Sequence, residues 1–182
     1  LPVFKRWFQD GGFKPQPVYK RGAYLGMPRS GWRGPEGTLA PQPEVRLFDG
    51  GRSKLDDLLG SGFSLVGLGV NPMDHLSPVS RQVLSLLGTR SVTLYPYGGR
   101  PQGLQGVARD GDPSVIEVED VDGLMVEWFR KAGMRREGVA VLRPDRFTFA
   151  VVRPEALNAT VAELSNQMEL GKGNVVPIAK AA

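Results

Sequence analysis

The stretch Phe63-Ser-Leu-Val-Gly-Leu-Gly-Val-Asn71-Pro72 decides the fold. It is the longest nearly uninterrupted apolar run of the chain, and glycines and a proline stand on either side of it. A short apolar run between chain breakers predicts a strand that is buried on both faces, inside a sheet that carries helices on both sides. Sheets of this kind bind ligands at the carboxyl ends of their strands. Residues 71–75 are therefore the first place to look for chemistry.

Strands and helices alternate on both sides of this stretch. Upstream, residues 44–48 predict a strand, residues 49–51 a turn, and Ser53 with Asp56 a capping box that begins a short helix ending at Gly60. Downstream, Ser77 and Pro78 have the residue types that begin a helix, which Gly88 ends. We expect the buried stripe of this second helix to consist of Val79, Val83, Leu86 and Leu87.

The second half of the chain continues the alternation. The predicted elements are a strand at 91–95, a polar loop at 97–112, a short strand at 115–118, a helix after Asp122, strands at 138–142 and 147–152, and a helix at 155–170. Asp122 is the expected cap of the third helix, whose apolar face holds Leu124, Met125, Trp128 and Phe129. Residues 143–146 suit a tight hairpin turn, so the last two strands are antiparallel. The order predicts an α/β fold, a thioredoxin-like mixed sheet with helices on both faces.

Three segments follow from this assignment. Residues 1–43 form an irregular N-terminal arm, residues 44–170 form the thioredoxin-like domain, and residues 171–182 form a frayed tail. The arm holds the aromatic residues Trp7, Phe8, Phe13, Tyr19, Tyr24 and Trp32. That many aromatic side chains are unusual for a free linker, so we expect the arm to lie against a surface partly absent from this chain. The chain starts with Leu1, and we expect it to be a piece of a longer protein.

Composition excludes several classes of function. There is no cysteine, which excludes disulfides, thiolate metal sites and thiol catalysis, and the single histidine, His75, excludes a multi-histidine metal site. The net charge of +4 comes from the arm, where seven basic residues face only Asp10 before residue 36. Proline and glycine separate these charges, so we expect no nucleic acid partner. No run predicts a membrane span and residues 1–8 lack a signal-peptide pattern, so we expect a cytoplasmic protein.

Two motifs near the central strand have weak functional interpretations. The stretch from Gly67 to Pro72 half-resembles a dinucleotide fingerprint, but proline stands at its third glycine position, so we interpret the glycines as packed against a crossing helix. His75 beside Asp74 could exchange protons, yet no nucleophile or metal partner accompanies it in the sequence. We predict that His75 makes a local hydrogen bond at a helix start. The sequence therefore assigns no catalytic, cofactor-binding or metal-binding residue.

Redox exchange is also not expected. Redox-active thioredoxin-like proteins carry Cys-x-x-Cys at the start of the helix after the central strand, where the helix stabilises the thiolate. The corresponding residues here are 71–76, NPMDHL. Such proteins also keep a cis-proline before the strand that begins the final hairpin, and the residues here are Arg136, Glu137 and Gly138.

Several phrases of the chain, taken in order, resemble a known family. They are FKPQPVY at 13–19, PQPEV at 41–45, LDDLLG at 55–60, GLGVNP at 67–72 and VLRPDRF at 141–147. Together they resemble the C-terminal part of FAD-dependent aromatic-ring hydroxylases of the phenol hydroxylase type, in particular the bacterial 3-(3-hydroxyphenyl)propionate hydroxylases. The resemblance runs from residue 1 to about residue 170.

The resemblance implies a parent protein that binds FAD, takes electrons from NAD(P)H and inserts one oxygen atom of O2 into a phenolic ring. The family's FAD motifs would lie upstream of Leu1, so no cofactor is expected in this segment. The arm would connect to an upstream FAD and substrate domain, and the thioredoxin-like domain would contribute to contacts in a homodimer. Two alternatives remain open: a free-standing, redox-inactive thioredoxin-like binding or dimerisation module, and an unrelated enzyme that uses the loop at 97–112.

Overall fold

Seven strands form one mixed sheet in the computed structural model, which describes residues 25, 34–101 and 115–170. The strands are β1 (Glu44–Leu47), β2 (Arg52–Lys54), β3 (Ser64–Leu68), β4 (Arg90–Pro96), β5 (Val115–Asp120), β6 (Gly138–Leu142) and β7 (Thr148–Val152). Their order across the sheet is β2-β1-β5-β4-β3-β6-β7. The pairs β3–β4 and β4–β5 are parallel and the other pairs are antiparallel. The predicted mixed sheet with an antiparallel final hairpin is confirmed.

The apolar stretch at 63–70 lies inside the sheet, as predicted. All five residues of β3 are buried, and β3 pairs with β4 on one side and β6 on the other. Leu65 and Val66 point to opposite faces because side chains alternate along a strand. Both are fully buried. Helices must therefore cover both faces of β3.

Four α-helices provide this cover: α1 (Leu55–Leu58), α2 (Pro78–Leu86), α3 (Leu124–Lys131) and α4 (Leu157–Gln167). One core cluster joins Leu55 of α1 and Phe129 of α3 to Val66 and its neighbours on the sheet. A second cluster joins Leu84 of α2 and Leu164 of α4 to the face that carries Leu65. The predicted helices on both faces are confirmed. No helix in the described part of the chain is long and apolar enough to cross a membrane.

The predicted capping box at Ser53 is wrong, because Ser53 belongs to β2, a strand that the sequence analysis missed. Ser53 pairs with Val45 of β1, and its hydroxyl donates to the carbonyl of Lys54. The α1 helix begins two residues later, and the backbone N–H of Leu55 donates to the carbonyl of Pro43 at 3.0 Å. The pairing of β2 with β1 holds Ser53 away from the helix start.

The start of α2 is confirmed and its predicted buried stripe is wrong at two positions. The Ser77 hydroxyl accepts a hydrogen bond from the backbone N–H of Ser80 at 3.2 Å, and Pro78 is the first helical residue. Val79 and Leu86 are 71% and 62% exposed. The helix instead turns the residues Ser80, Val83, Leu84 and Leu87 toward the sheet. These residues have the spacing of one helical face, and the small Ser80 is its first member.

The cap predicted for α3 is also wrong. Asp122 accepts from the backbone N–H of Glu44 at 3.2 Å, and Gly123 precedes the helix with a φ of +68°. Asp120, the last residue of β5, does the capping, because its Oδ2 accepts from the backbone N–H of Val126 at 2.9 Å. Leu124 is exposed, whereas Met125 and Phe129 of the predicted apolar face are buried as expected.

The remaining predicted elements agree closely with the structure. A tight turn joins β6 to β7, with the backbone N–H of Arg146 donating to the carbonyl of Arg143 at 2.9 Å. The last helix buries Leu157, Val161 and Leu164, while Met168 lies after its end and is exposed. The arm aromatics, most of the loop at 97–112 and the tail at 171–182 lie outside the described residues.

Candidate functional site

The loop after β3, residues 69–77, lies where thioredoxin-like proteins carry their chemistry; we call it the β3 loop. Gly69 turns the chain with a φ of +65°, and its backbone N–H donates to the carbonyl of Leu94 at 2.8 Å. Asn71 caps a short 3-10 helix, Pro72–His75, by accepting from the backbone N–H of Met73 at 3.1 Å. The loop is therefore held by a backbone hydrogen bond to β4 and by the side-chain cap of its 3-10 helix.

The glycines of this loop fit a reversal of the chain. A Cβ atom at Gly67 would lie 2.1 Å from the carbonyl oxygen of Val70 and 2.8 Å from Cδ of Pro72. A Cβ at Gly69 would lie 2.9 Å from the carbonyl oxygen of Arg136. The predicted neighbour, a crossing helix, is wrong: the loop folds back onto its own strand. The space that a dinucleotide pyrophosphate would need beside Gly67 is filled by the protein's backbone.

The two titratable residues of the β3 loop are exposed. Asp74 accepts from the side-chain amide of Asn71 at 3.3 Å. The carbonyl of His75 accepts from Nδ2 of Asn158, whose Oδ1 accepts from the backbone N–H of Ser77, both at 2.8 Å. Asn158 on α4 thus clamps the loop to the neighbouring helix through backbone groups. Within the ranges that the structure describes, no group of three or more His, Asp and Glu residues could hold a metal ion.

A cleft of about 380 Å³ opens beside the β3 loop. The chain between α3 and β6, residues 133–137, forms one wall, and residues 153–155, after β7, form the other. Three exposed arginines line it, Arg135, Arg136 and Arg153, together with Glu137 and Glu155. The cleft lies at the end of the sheet where β3 finishes and β6 begins, because Leu68 pairs with Gly138. The sequence analysis did not select these arginines, since their common position depends on the pairing of β3, β6 and β7.

Two carboxylates in the described part have raised pKa values. Burial raises the pKa of Asp120, and the backbone N–H groups that it accepts from, including that of Val126, oppose this shift. Burial likewise raises the pKa of Glu36, against the hydrogen bond from the backbone N–H of Val151. One oxygen of each carboxylate is buried without a hydrogen-bond partner among the described residues. Both groups support the backbone locally, so their perturbed pKa values indicate structural roles.

The end of the arm covers the outer edge of β7; we call residue 25 and residues 36–40 on this edge the β7 junction. Gly37 donates to the carbonyl of Thr148 at 2.9 Å, and Thr148 donates to the carbonyl of Thr38 at 2.8 Å. The backbone N–H of Leu25 donates to the carbonyl of Phe149 at 2.7 Å. A sheet edge offers a row of unpaired backbone groups. The β7 junction satisfies them with chain from more than a hundred residues upstream.

The sequence of this chain matches known proteins over most of its length. Residues 37–167 match the family described as the HcaD C-terminal domain. The chain is 31% identical over 174 residues to the 3-(3-hydroxy-phenyl)propionate/3-hydroxycinnamic acid hydroxylase of Klebsiella pneumoniae, which covers 96% of this chain and 30% of that protein. It is 33% identical over 172 residues to the Escherichia coli protein of the same name, covering 93% and 29%. The chain thus spans about 30% of the length of these relatives.

Solved structures share the fold at low sequence identity. A ternary complex of aklavinone-11 hydroxylase with FAD and aklavinone superposes with a TM-score of 0.54 and 18% identity, over 85% of this chain and 26% of that one. Peroxidoxin BcpB of Mycobacterium tuberculosis superposes with a TM-score of 0.50 and 16% identity, over 74% and 98%. The fold is thioredoxin-like, and the resemblance to hydroxylases stated from the sequence is confirmed.

Proposed function

Because the chain belongs to the HcaD C-terminal domain family, we propose that it is the C-terminal, redox-inactive domain of an FAD-dependent monooxygenase. The parent enzyme hydroxylates a phenolic aromatic acid with NAD(P)H and O2. One observation carries this proposal: relatives that are 31–33% identical over nearly the whole chain are named hydroxylases and are about three times as long. The chain contributes a domain to such a protein.

The described residues favour a structural role for this domain rather than a direct role in the reaction. The sequence has no cysteine, so the β3 loop offers no thiolate where thioredoxin-like redox proteins have one. Gly67 and Gly69 lie against the backbone carbonyls of Val70 and Arg136, which does not fit a dinucleotide bound there. FAD supplies the oxygen chemistry in the parent, and in this proposal the upstream domain binds it.

The β7 junction supports the proposed connection to an upstream domain. The arm reaches the core there and pairs with β7, so the register of this pairing sets where the arm leaves the domain. We propose that the arm aromatics Trp7, Phe8, Phe13, Tyr19 and Tyr24 pack against the FAD and substrate domain. Contacts in a homodimer and a place in the cytoplasm belong to the same proposal.

The test is expression of the complete reading frame that contains these residues. We expect a yellow protein that retains FAD and whose oxidation of NAD(P)H is stimulated by 3-(3-hydroxyphenyl)propionate or a related phenolic acid. The 182-residue chain alone serves as the control and should neither retain FAD nor oxidise NAD(P)H. A reading frame without a flavin domain would contradict the proposal in favour of a free-standing binding module. A control that keeps FAD bound through purification would contradict the assignment of the flavin to the upstream domain.

A further inference from the structure

The arginines of the described chain fall into two groups. Most of them bind a carboxylate or a backbone carbonyl. The ion pairs are Arg46–Glu119, Arg52–Glu44, Arg100–Glu117, Arg130–Glu127, Arg143–Asp145 and Arg146–Asp56. Arg81 donates to the carbonyls of Leu76 and Met73, and Arg90 donates to the carbonyl of Leu58. A guanidinium group that donates to a carboxylate or to a carbonyl is thus the general pattern among the described arginines.

Three arginines depart from this pattern, and all three line the same cleft. Arg135, Arg136 and Arg153 have no ion pair or side-chain hydrogen bond within the described ranges, although Glu137 and Glu155 line the cleft with them. The lining therefore carries one positive charge in excess. Arg135 and Arg136 come from the wall before β6, and Arg153 comes from the wall after β7, so the cluster exists only in the folded protein.

We propose that this cleft is a binding site for the phosphate groups of a nucleotide. A guanidinium presents paired N–H donors that match a phosphate, which is why arginine is favoured in phosphate sites. The unpaired carboxylates of Glu137 and Glu155 suit the hydroxyl groups of a ribose, which are donors. A volume of about 380 Å³ lies in the range of small-molecule sites. The inference does not rest on the proposed function.

The place of the cleft in the fold agrees with this assignment. It adjoins the β3 loop, where the parallel strands β3 and β4 reach their carboxyl ends, and open α/β sheets bind ligands at this end. The β3 loop itself has its space filled by backbone beside Gly67. The adjacent arginine cleft is the part of this end that offers both space and donors.

The experiment is a calorimetric titration of the 182-residue chain with ADP, inorganic pyrophosphate and adenosine at low ionic strength. We expect ADP and pyrophosphate to bind and adenosine to bind much more weakly, because the phosphates supply the charge. Arg153→Gln and Arg136→Gln should each weaken ADP binding about tenfold, the typical loss for one charge-assisted hydrogen bond. A parallel titration compares NADPH with NADH. Both contain the diphosphate and only NADPH carries a 2′-phosphate, so tighter binding of NADPH would show that the cleft prefers the 2′-phosphate.

Arg130→Gln is the matched control, since Arg130 is also exposed but is already bound to Glu127. It should bind ADP like the unchanged chain, and circular dichroism should show that every variant is folded. Two variants on opposite walls keep the test decisive if one of them does not fold. Equal weakening by Arg130→Gln and Arg153→Gln would mean nonspecific attraction and would overturn the proposal. Absence of ADP binding up to about 10 mM would overturn it as well, because this concentration is far above the dissociation constants of specific nucleotide sites.

Discussion

The β3 loop and the β7 junction differ in what their hydrogen bonds hold in place. The β3 loop, at the position of thioredoxin-like chemistry, is held by the cap at Asn71 and by the side chain of Asn158, and it leaves Asp74 and His75 exposed. The β7 junction consists of hydrogen bonds between residues more than a hundred positions apart. In this chain the first set of hydrogen bonds holds a loop, and the second holds the arm against the edge of the sheet.

The largest effect is expected at Gly67, which would break the β3 loop. Gly67→Ala places Cβ 2.1 Å from a backbone oxygen that cannot move without opening the loop. We expect a loss of more than about 3 kcal/mol in the free energy of unfolding, or no folded protein, as for severe overpacking. Chemical denaturation measures it. Gly51→Ala is the control, because its Cβ meets only side-chain atoms, Oδ1 of Asp49 at 3.0 Å and Cδ1 of Leu47 at 3.7 Å. A Gly67→Ala variant within about 1 kcal/mol of the unchanged protein would refute the close packing.

The next effect tests the turn that begins β7. Arg146 has a φ of +66°, forms an ion pair with Asp56 and donates to the carbonyl of Gly60, while its own carbonyl accepts from Ala40. Arg146→Ala should lower the free energy of unfolding by about 2 kcal/mol, because partly buried acceptors lose their donor. Arg52→Ala, which removes a more exposed pair, should cost about 0.5 kcal/mol or less. Equal losses in thermal or urea unfolding would show that Arg146 does not anchor the turn.

A smaller effect tests the β7 junction through pH. Glu36→Ala removes the acceptor of Val151 and should cost about 1 kcal/mol. Burial raises the pKa of Glu36, so the folded state holds a proton more tightly than the unfolded state, and this group adds stability as pH falls. As the pH falls from 7 toward the ordinary glutamate pKa, the unchanged protein should therefore gain stability relative to Glu36→Gln.

Glu127→Gln provides a control of opposite sign for the pH experiment. The hydrogen bond from Arg130 lowers the pKa of Glu127, so the unchanged protein should lose stability relative to this variant as pH falls through that lowered pKa. Urea unfolding at a series of pH values measures both differences. The same sign for Glu36 and Glu127 would mean that Glu36 is not buried as described.

The smallest effect separates two serines that look alike in the sequence. Ser77→Ala removes the cap that accepts from Ser80 at the end of the β3 loop, and should cost about 1 kcal/mol. Ser53→Ala should cost less than about 0.5 kcal/mol, because Ser53 lies in β2 and caps nothing. A larger loss at Ser53 than at Ser77 in thermal unfolding would restore the capping box at Ser53.

The sequence predicted what depends on local pattern. Three predicted elements have structures that nearby residues in the chain determine. They are the apolar run at 63–70, the start of α2 at Ser77 and the turn at 143–146. The predicted cap at Ser53 failed because strand pairing places this residue in β2, and the predicted stripe of α2 failed because Leu84 packs in the core cluster while Val79 and Leu86 are exposed. The candidate cleft could not be predicted at all. Arg136 and Arg153 are 17 positions apart in the sequence, and only the pairing of β6 with β7 brings their segments together.

The central proposal is that the β3 loop supports structure and takes no part in the reaction of the proposed parent hydroxylase. Turnover of that complete protein, carrying both Asp74→Asn and His75→Ala, tests the proposal most directly. We predict substrate-dependent oxidation of NAD(P)H within about twofold of the unchanged enzyme, because a general acid or base would contribute roughly 100-fold or more. A loss of about tenfold or greater, in a variant that is folded and retains its flavin, would contradict the account and place chemistry at the β3 loop.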